Sequence, residues 1–115
     1  MAAMKIDPTK RAAVNLRYSQ KLVDLFKRLG ATVAGFNRTQ EPKEVKETEA
    51  GTLGWAVMRA TEDSGIIPDV IYDLGEIGKE PMIRLIGTSA TELVDRIIRA
   101  KKVILKEKRR VLEAP

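Results

Sequence analysis

Two arginines, a lysine and a few carboxylates stand at the ends of apolar runs, and these are the side chains with which the sequence could do chemistry. Arg38 comes just after the apolar stretch Ala31 to Phe36, and Asn15, Arg17 and Ser19 close the stretch that begins at Ala12, which is expected to be the neighbouring strand, so that the two groups would share one mouth. An arginine at the carboxyl end of a strand suits phosphate, because its planar fork offers two parallel charge-assisted hydrogen bonds. The competing uses are an ion pair for Arg38 and a helix N-cap for Ser19.

A second cluster lies in Pro68 to Gly87, where two apolar runs enclose Gly75, Gly78, Lys79 and Pro81. Gly75 and Gly78 could leave backbone N–H groups pointing into a concavity, with Lys79 adding a positive charge to an anion nest. Asp73 and Glu80 could hold a divalent ion such as magnesium against a diphosphate, since hard cations take carboxylate oxygens. The alternative for these acids is ion pairing with Lys79, Arg84 or Arg38, which is the preferred reading for Glu76. The single Trp55 is a core residue or, beside the polar stretch before it, a surface on which a heteroaromatic ring could stack. With no Cys and no His, thiolate nucleophiles, disulfides and imidazole acid–base chemistry are excluded.

The elements that must position these groups follow from periodicity. Ala12 to Arg17 reads as a strand, and Ser19 caps a helix whose apolar face is Leu22, Val23, Leu25, Phe26 and Leu29 and whose stop is Gly30. Ala31 to Phe36 is the next strand, so a right-handed parallel crossover is expected between the two. Residues 37–54 are polar and read as a mobile or functional loop. Trp55 to Ser64 reads as a helix, Val70 to Tyr72 and Met82 to Ile86 as buried strands, and Thr88 or Ser89 as the cap of a helix from about Ala90 to Ala114. The expected fold is α/β in βαβαββα order, with a mostly parallel sheet, flanking helices and a long C-terminal helix. Residues 1–11 read as an arm with a turn at Asp7 and Pro8.

The formal charge of +5 is unevenly spread: residues 1–95 carry 13 basic and 14 acidic side chains, residues 96–115 carry 8 and 2. The basic excess belongs to a helical extension, 99–115, whose Ile97, Ile104 and Val111 and whose Ile98, Leu105 and Leu112 recur every seven residues. That stripe predicts packing against a partner chain, a homodimer. The alternatives are a helix folded back on its own sheet and a basic amphipathic helix for nucleic acid or membrane; only one basic run, without aromatic residues, supports nucleic acid, which is the lesser expectation. No window is apolar enough to span a membrane and the first residues lack a signal peptide's apolar core, so a cytoplasmic location is expected.

NLRYS at 15–19, the FNR-TQ-EP run at 36–42, EAGTLGW at 49–55 and PDVIYDLGEIGKEPMIRLIG at 68–87 together resemble the ThiN family of thiamine-phosphate synthases, over most of residues 12–98. The resemblance covers the C-terminal portion of that family's domain. It implies binding of thiamine phosphate or of its phosphorylated pyrimidine and thiazole precursors, with Trp55 or Tyr72 facing a ring. Active members join hydroxymethylpyrimidine diphosphate to hydroxyethylthiazole phosphate and release pyrophosphate. It further implies a catalytic arginine at Arg38 and a catalytic histidine on the following helix, whose place here falls near Arg59. With that histidine missing, the implied function is ligand binding with weak or no synthase activity. The alternatives are a synthase assembled across a dimer, with Arg59 as a catalytic residue in place of the missing histidine, and a structural or nucleic-acid-associated protein that has lost the site.

Overall fold

The computed structural model describes residues 12–41 and 49–113; the N-terminal arm and the middle of the polar stretch lie outside them. The elements are β1 (Ala12–Arg17), α1 (Gln20–Arg28), β2 (Val33–Phe36), a 3-10 turn (Arg38–Gln40), α2 (Glu49–Ser64), β3 (Val70–Asp73), β4 (Met82–Gly87) and α3 (Ala90–Glu113). This is the expected βαβαββα order, and no helix among the described residues is long and apolar enough to cross a membrane.

The sheet is not the mostly parallel one that the alternation of strands and helices suggested. Its order is β1-β4-β3-β2, with β2 and β3 parallel but β4 antiparallel to both β3 and β1. The cause is the short link from β3 to β4. A parallel return needs a crossover of a dozen or more residues, whereas here the chain reverses through Glu76–Lys79, whose backbone groups bond each other at 3.1 and 2.8 Å. Gly78, at φ 78°, supplies the positive φ that a type II turn needs at its third position. The returning β4 inserts between β3 and β1, so β1 and β2 run in the same direction with two strands between them. The β1–α1–β2 connection crosses the sheet one way on one face, and β2–α2–β3 crosses back on the other, so the two crossovers share one hand.

Local signals fix the ends of α1. Ser19 accepts a hydrogen bond from Leu22 N at 3.2 Å, and the C-terminus closes with Gly30 N on Lys27 O and Ala31 N on Phe26 O. That is the Schellman pattern, with Gly30 at φ 92° in the left-handed position. This closure uses Ala31, which is why β2 begins at Val33 and not at Ala31. α2 begins at Glu49, so the last part of the expected loop is helical. Gly51, Thr52 and Gly54 are weak helix formers, but Thr52, Ala56 and Val57 are fully buried there, and packing outweighs propensity.

Helices cover both faces. On one, α1 and α3 bury Val23, Leu25, Phe26, Leu93 and Ala100 against Val70, Ile83 and Leu85. On the other, Ala56, Val57 and Ala60 of α2 meet Ile71 and Ile86. Each fully buried large apolar side chain contributes about 1.5–3 kcal/mol.

α3 is held in rotation by Glu107, which pairs with Arg28 at 3.1 Å and lies 3.9 Å from Lys21. Its seven-residue stripe is therefore divided. Ile97 and Ile104 pack on the chain's own core, while Ile98 and Leu105 point outward at 43% and 54% exposure. The side chains of Val111 and Leu112 lie outside the described set.

Candidate functional site

β1, β2 and β3 run in one direction, so their carboxyl ends share one edge of the sheet. Cross-strand register places Arg17 opposite Met82, Met82 opposite Asp73 and Asp73 opposite Phe36, all on the α2 face. The row beneath is Asn15, Arg84, Ile71 and Ala34. Asn15 and Arg17 are exposed and Arg84 is fully buried, so this face carries polar side chains from β1 inward.

Asp73 and Arg84 form its fixed centre. Arg84 Nη1 donates to Asp73 Oδ2 at 2.7 Å, Gly75 N donates to Asp73 Oδ1 at 2.7 Å, and both side chains are fully buried. The Arg84 guanidinium lies 5.5 Å from the centroid of the Phe36 ring. Phe36 meets Trp55 edge-on at 5.7 Å, and Arg59 covers Trp55 at 5.7 Å. Aromatic edges and cations over ring faces each contribute about 0.5–1.5 kcal/mol.

Arg38 occupies the next position along this edge. Asn37 caps the 3-10 turn by accepting from Thr39 N at 2.9 Å, and the turn leaves Arg38 and Glu41 on the same side, three residues apart. Arg38 Nη2 donates to Thr52 Oγ1 at 3.2 Å, and Arg38 Nε lies 3.5 Å from Glu41 Oε1. Nε and both Glu41 carboxylate oxygens are buried without a hydrogen-bond partner. Unmet buried groups cost about 1–3 kcal/mol each, more when charged, so this pair is matched in charge but not in direction.

The structure thus brings Trp55 and Asp73 close to the end of β2 that leads into Arg38, through Phe36 and Arg84, with Arg59 on the outer side of Trp55; Asn15 and Arg17 share that face but lie across the sheet on β1, with β4 and β3 between. It sets others apart. Tyr72 points to the α1/α3 face, where its ring contacts Tyr18 at 6.1 Å between centroids and fills the space a Gly35 Cβ would need. Trp55 and Tyr72 therefore cannot hold one ring between them. Ser19 is the cap of α1. The glycine loop is a tight turn: Gly75 N is committed to Asp73 and Lys79 N to Glu76 O, and Gly78 sits at the turn itself. Glu80 is exposed beside a hollow of about 210 Å³ that Arg17, Tyr18 and Pro81 also line.

Asp73 and Glu80 do not form a ready divalent site, because both Asp73 oxygens are already engaged; among the described residues no three Asp or Glu side chains converge on one point. Thr52, Glu41 and Arg84 were not singled out by the sequence as site residues. An arginine inside the apolar strand MIRLIG and a glutamate three residues after Arg38 were the available signals.

Such a chain is an α/β domain with arginines gathered at the carboxyl edge of a mixed sheet. The family model described as thiamine-phosphate synthase ThiN matches residues 1–99, and the chain belongs to the ThiN family. It is 37% identical over 92 residues to the thiamine-phosphate synthase ThiN of Methanothermobacter thermautotrophicus, a match covering 80% of this chain and 48% of that protein. It is 39% identical over 103 residues to the bifunctional thiamine biosynthesis protein ThiDN of Methanocaldococcus jannaschii, covering 90% of this chain and 23% of the relative. The crystal structure of the C-terminal domain of a phosphomethylpyrimidine kinase superposes with a TM-score of 0.73 at 33% identity, covering 86% of this chain and 56% of that one. The chain therefore spans about half the length of the ThiN synthase that it matches.

Proposed function

We infer that this domain binds thiamine phosphate or its phosphorylated pyrimidine and thiazole precursors at the edge carrying Arg17 and Arg38, with weak or no synthase activity. The observation that carries this reading is the buried Arg38 at the carboxyl end of β2, in a ThiN-family chain, next to the Phe36–Trp55 ring pair, with Arg17 at the carboxyl end of β1 on the same face, across the sheet with two strands between. A phosphate taken there would meet guanidinium groups, and a heteroaromatic ring would meet the aromatic surface of Trp55.

The chemistry of Arg59 supports binding over synthesis. It stands near the place of the catalytic histidine that the family resemblance implies, and an arginine does not give up its proton in a protein, so it cannot stand in for imidazole as a base. Arg38 would still be able to stabilise the charge of a departing diphosphate. Magnesium, where it accompanies a diphosphate, would come held by phosphate oxygens and water, since Asp73 is committed to Arg84. Isothermal calorimetry with thiamine phosphate tests the reading: binding is expected, and no heat up to millimolar ligand defeats it. Arg38→Ala should weaken that binding by about 1.5–3 kcal/mol, the value of a hydrogen bond to a charged group.

The second reading is a synthase assembled across a homodimer, favoured by the outward stripe of Val94, Ile98 and Leu105 at 52%, 43% and 54% exposure. A coupled assay for thiamine phosphate formation separates it from the first. Light scattering after size exclusion tests the dimer, and a monomer at micromolar concentration rules it out.

A further inference from the structure

Glu41 is assigned no role by the motifs alone. It is buried with Arg38, their side chains 0% and 4% exposed, and its Oε1 is 3.5 Å from Arg38 Nε. Neither of its oxygens receives a hydrogen bond, and Nε gives none. Thr52 already engages Nη2 at 3.2 Å. A guanidinium is a rigid plane with five N–H donors. An acceptor on Nε therefore fixes the rotation of the whole plane, and with Nη2 held by Thr52 it is Nη1 that is left to meet a phosphate.

We propose that Glu41 is the positioning residue of Arg38. As a phosphate draws on the guanidinium, the Nε to Oε1 gap closes to the roughly 2.7–2.9 Å of a charge-assisted bond, and Nη1 is aimed at the anion. Glu41 does not touch the ligand. A carboxylate in direct contact would repel phosphate, whereas one behind the guanidinium orients it. The proposal rests on the reading of Arg38 as a phosphate ligand.

The test is calorimetric titration of the full chain with inorganic pyrophosphate. Glu41→Ala should bind about tenfold more weakly, the size of one charge-assisted hydrogen bond. Glu41→Asp, which keeps the charge but withdraws the oxygens by one methylene, should lose nearly as much, while Glu41→Gln stays within about threefold because its amide oxygen still accepts from Nε. In an Arg38→Ala background, Glu41→Ala should change nothing further, because residues that act through each other are not additive. Equal weakening in both backgrounds would show a merely structural glutamate and overturn the proposal. Should Glu41→Ala fail to fold, Glu41→Asp carries the same comparison. If Arg38→Ala weakens binding while Glu41→Ala and Glu41→Asp do not, only this inference fails. If wild type binds no pyrophosphate, or Arg38→Ala binds it as well as wild type, the phosphate reading of Arg38 fails too.

Discussion

On the α1/α3 face the cross-strand rows are Val14, Leu85, Val70, Val33 and Leu16, Ile83, Tyr72, Gly35; on the α2 face they are Asn15, Arg84, Ile71, Ala34 and Arg17, Met82, Asp73, Phe36. The same strands supply both sets, since alternate residues point to opposite sides. The first face is a packed apolar layer in which each side chain can be replaced by another of similar volume at modest cost. The second buries an ion pair where apolar residues would serve stability as well or better. The difference teaches where to look for function: on the side whose composition packing does not require.

The strongest way to sharpen this contrast is Asp73→Ala, which leaves Arg84 buried and uncompensated and should cost about 3–5 kcal/mol in urea unfolding. Asp73→Leu combined with Arg84→Met should return most of that stability while abolishing any ligand binding that depends on the charged edge. A double variant as unstable as the single one would break the contrast. Next in size, Leu85→Ala on the apolar face should cost about 3 kcal/mol and leave thiamine phosphate affinity unchanged wherever the protein is folded. Loss of affinity there would show that the faces are not separable. Gly78→Ala meets no atom within 4 Å, so only its φ of 78° matters, and the melting temperature should register about 1–2 kcal/mol. Smallest of all is Glu107→Gln at the half-exposed α1–α3 contact, where less than about 1 kcal/mol is expected, and that only at low salt.

Much of the fold was legible because it is written locally. β1 was readable from Ala12 to Arg17, α1 from its Ser19 cap and Gly30 stop, and β3 and β4 from their apolar runs. The parallel sheet was misread because strand neighbours depend on a connection: the reversal at Glu76–Lys79 decides where β4 goes, and nothing within β1 announces that β4 will lie beside it. The early turns of α2 were missed because glycines there argue against a helix until the burial of Thr52 is known. Within the site, strand ends put Arg17 and Arg38 at the carboxyl edge, but the expected single mouth between neighbouring strands did not follow, because β4 and β3 lie between β1 and β2. The separation of Tyr72 from Asp73 was implicit in their adjacency on one strand, since neighbours cannot face the same side. The Arg38–Glu41 pairing needed the 3-10 turn, which three residues of sequence do not declare.

The sheet order also sets a timetable. Among the described residues β1 is the first strand, yet its partner in the sheet is the last of them, Ala12 facing Gly87 and Arg17 facing Met82. During synthesis β1 is made well before β4, the strand it pairs with among the described residues. Closing so long a loop costs entropy before any contact repays it. The step that lays β1 against β4, and so brings Arg17 to its edge, is therefore expected to come late in folding, after β2, β3 and β4 have joined.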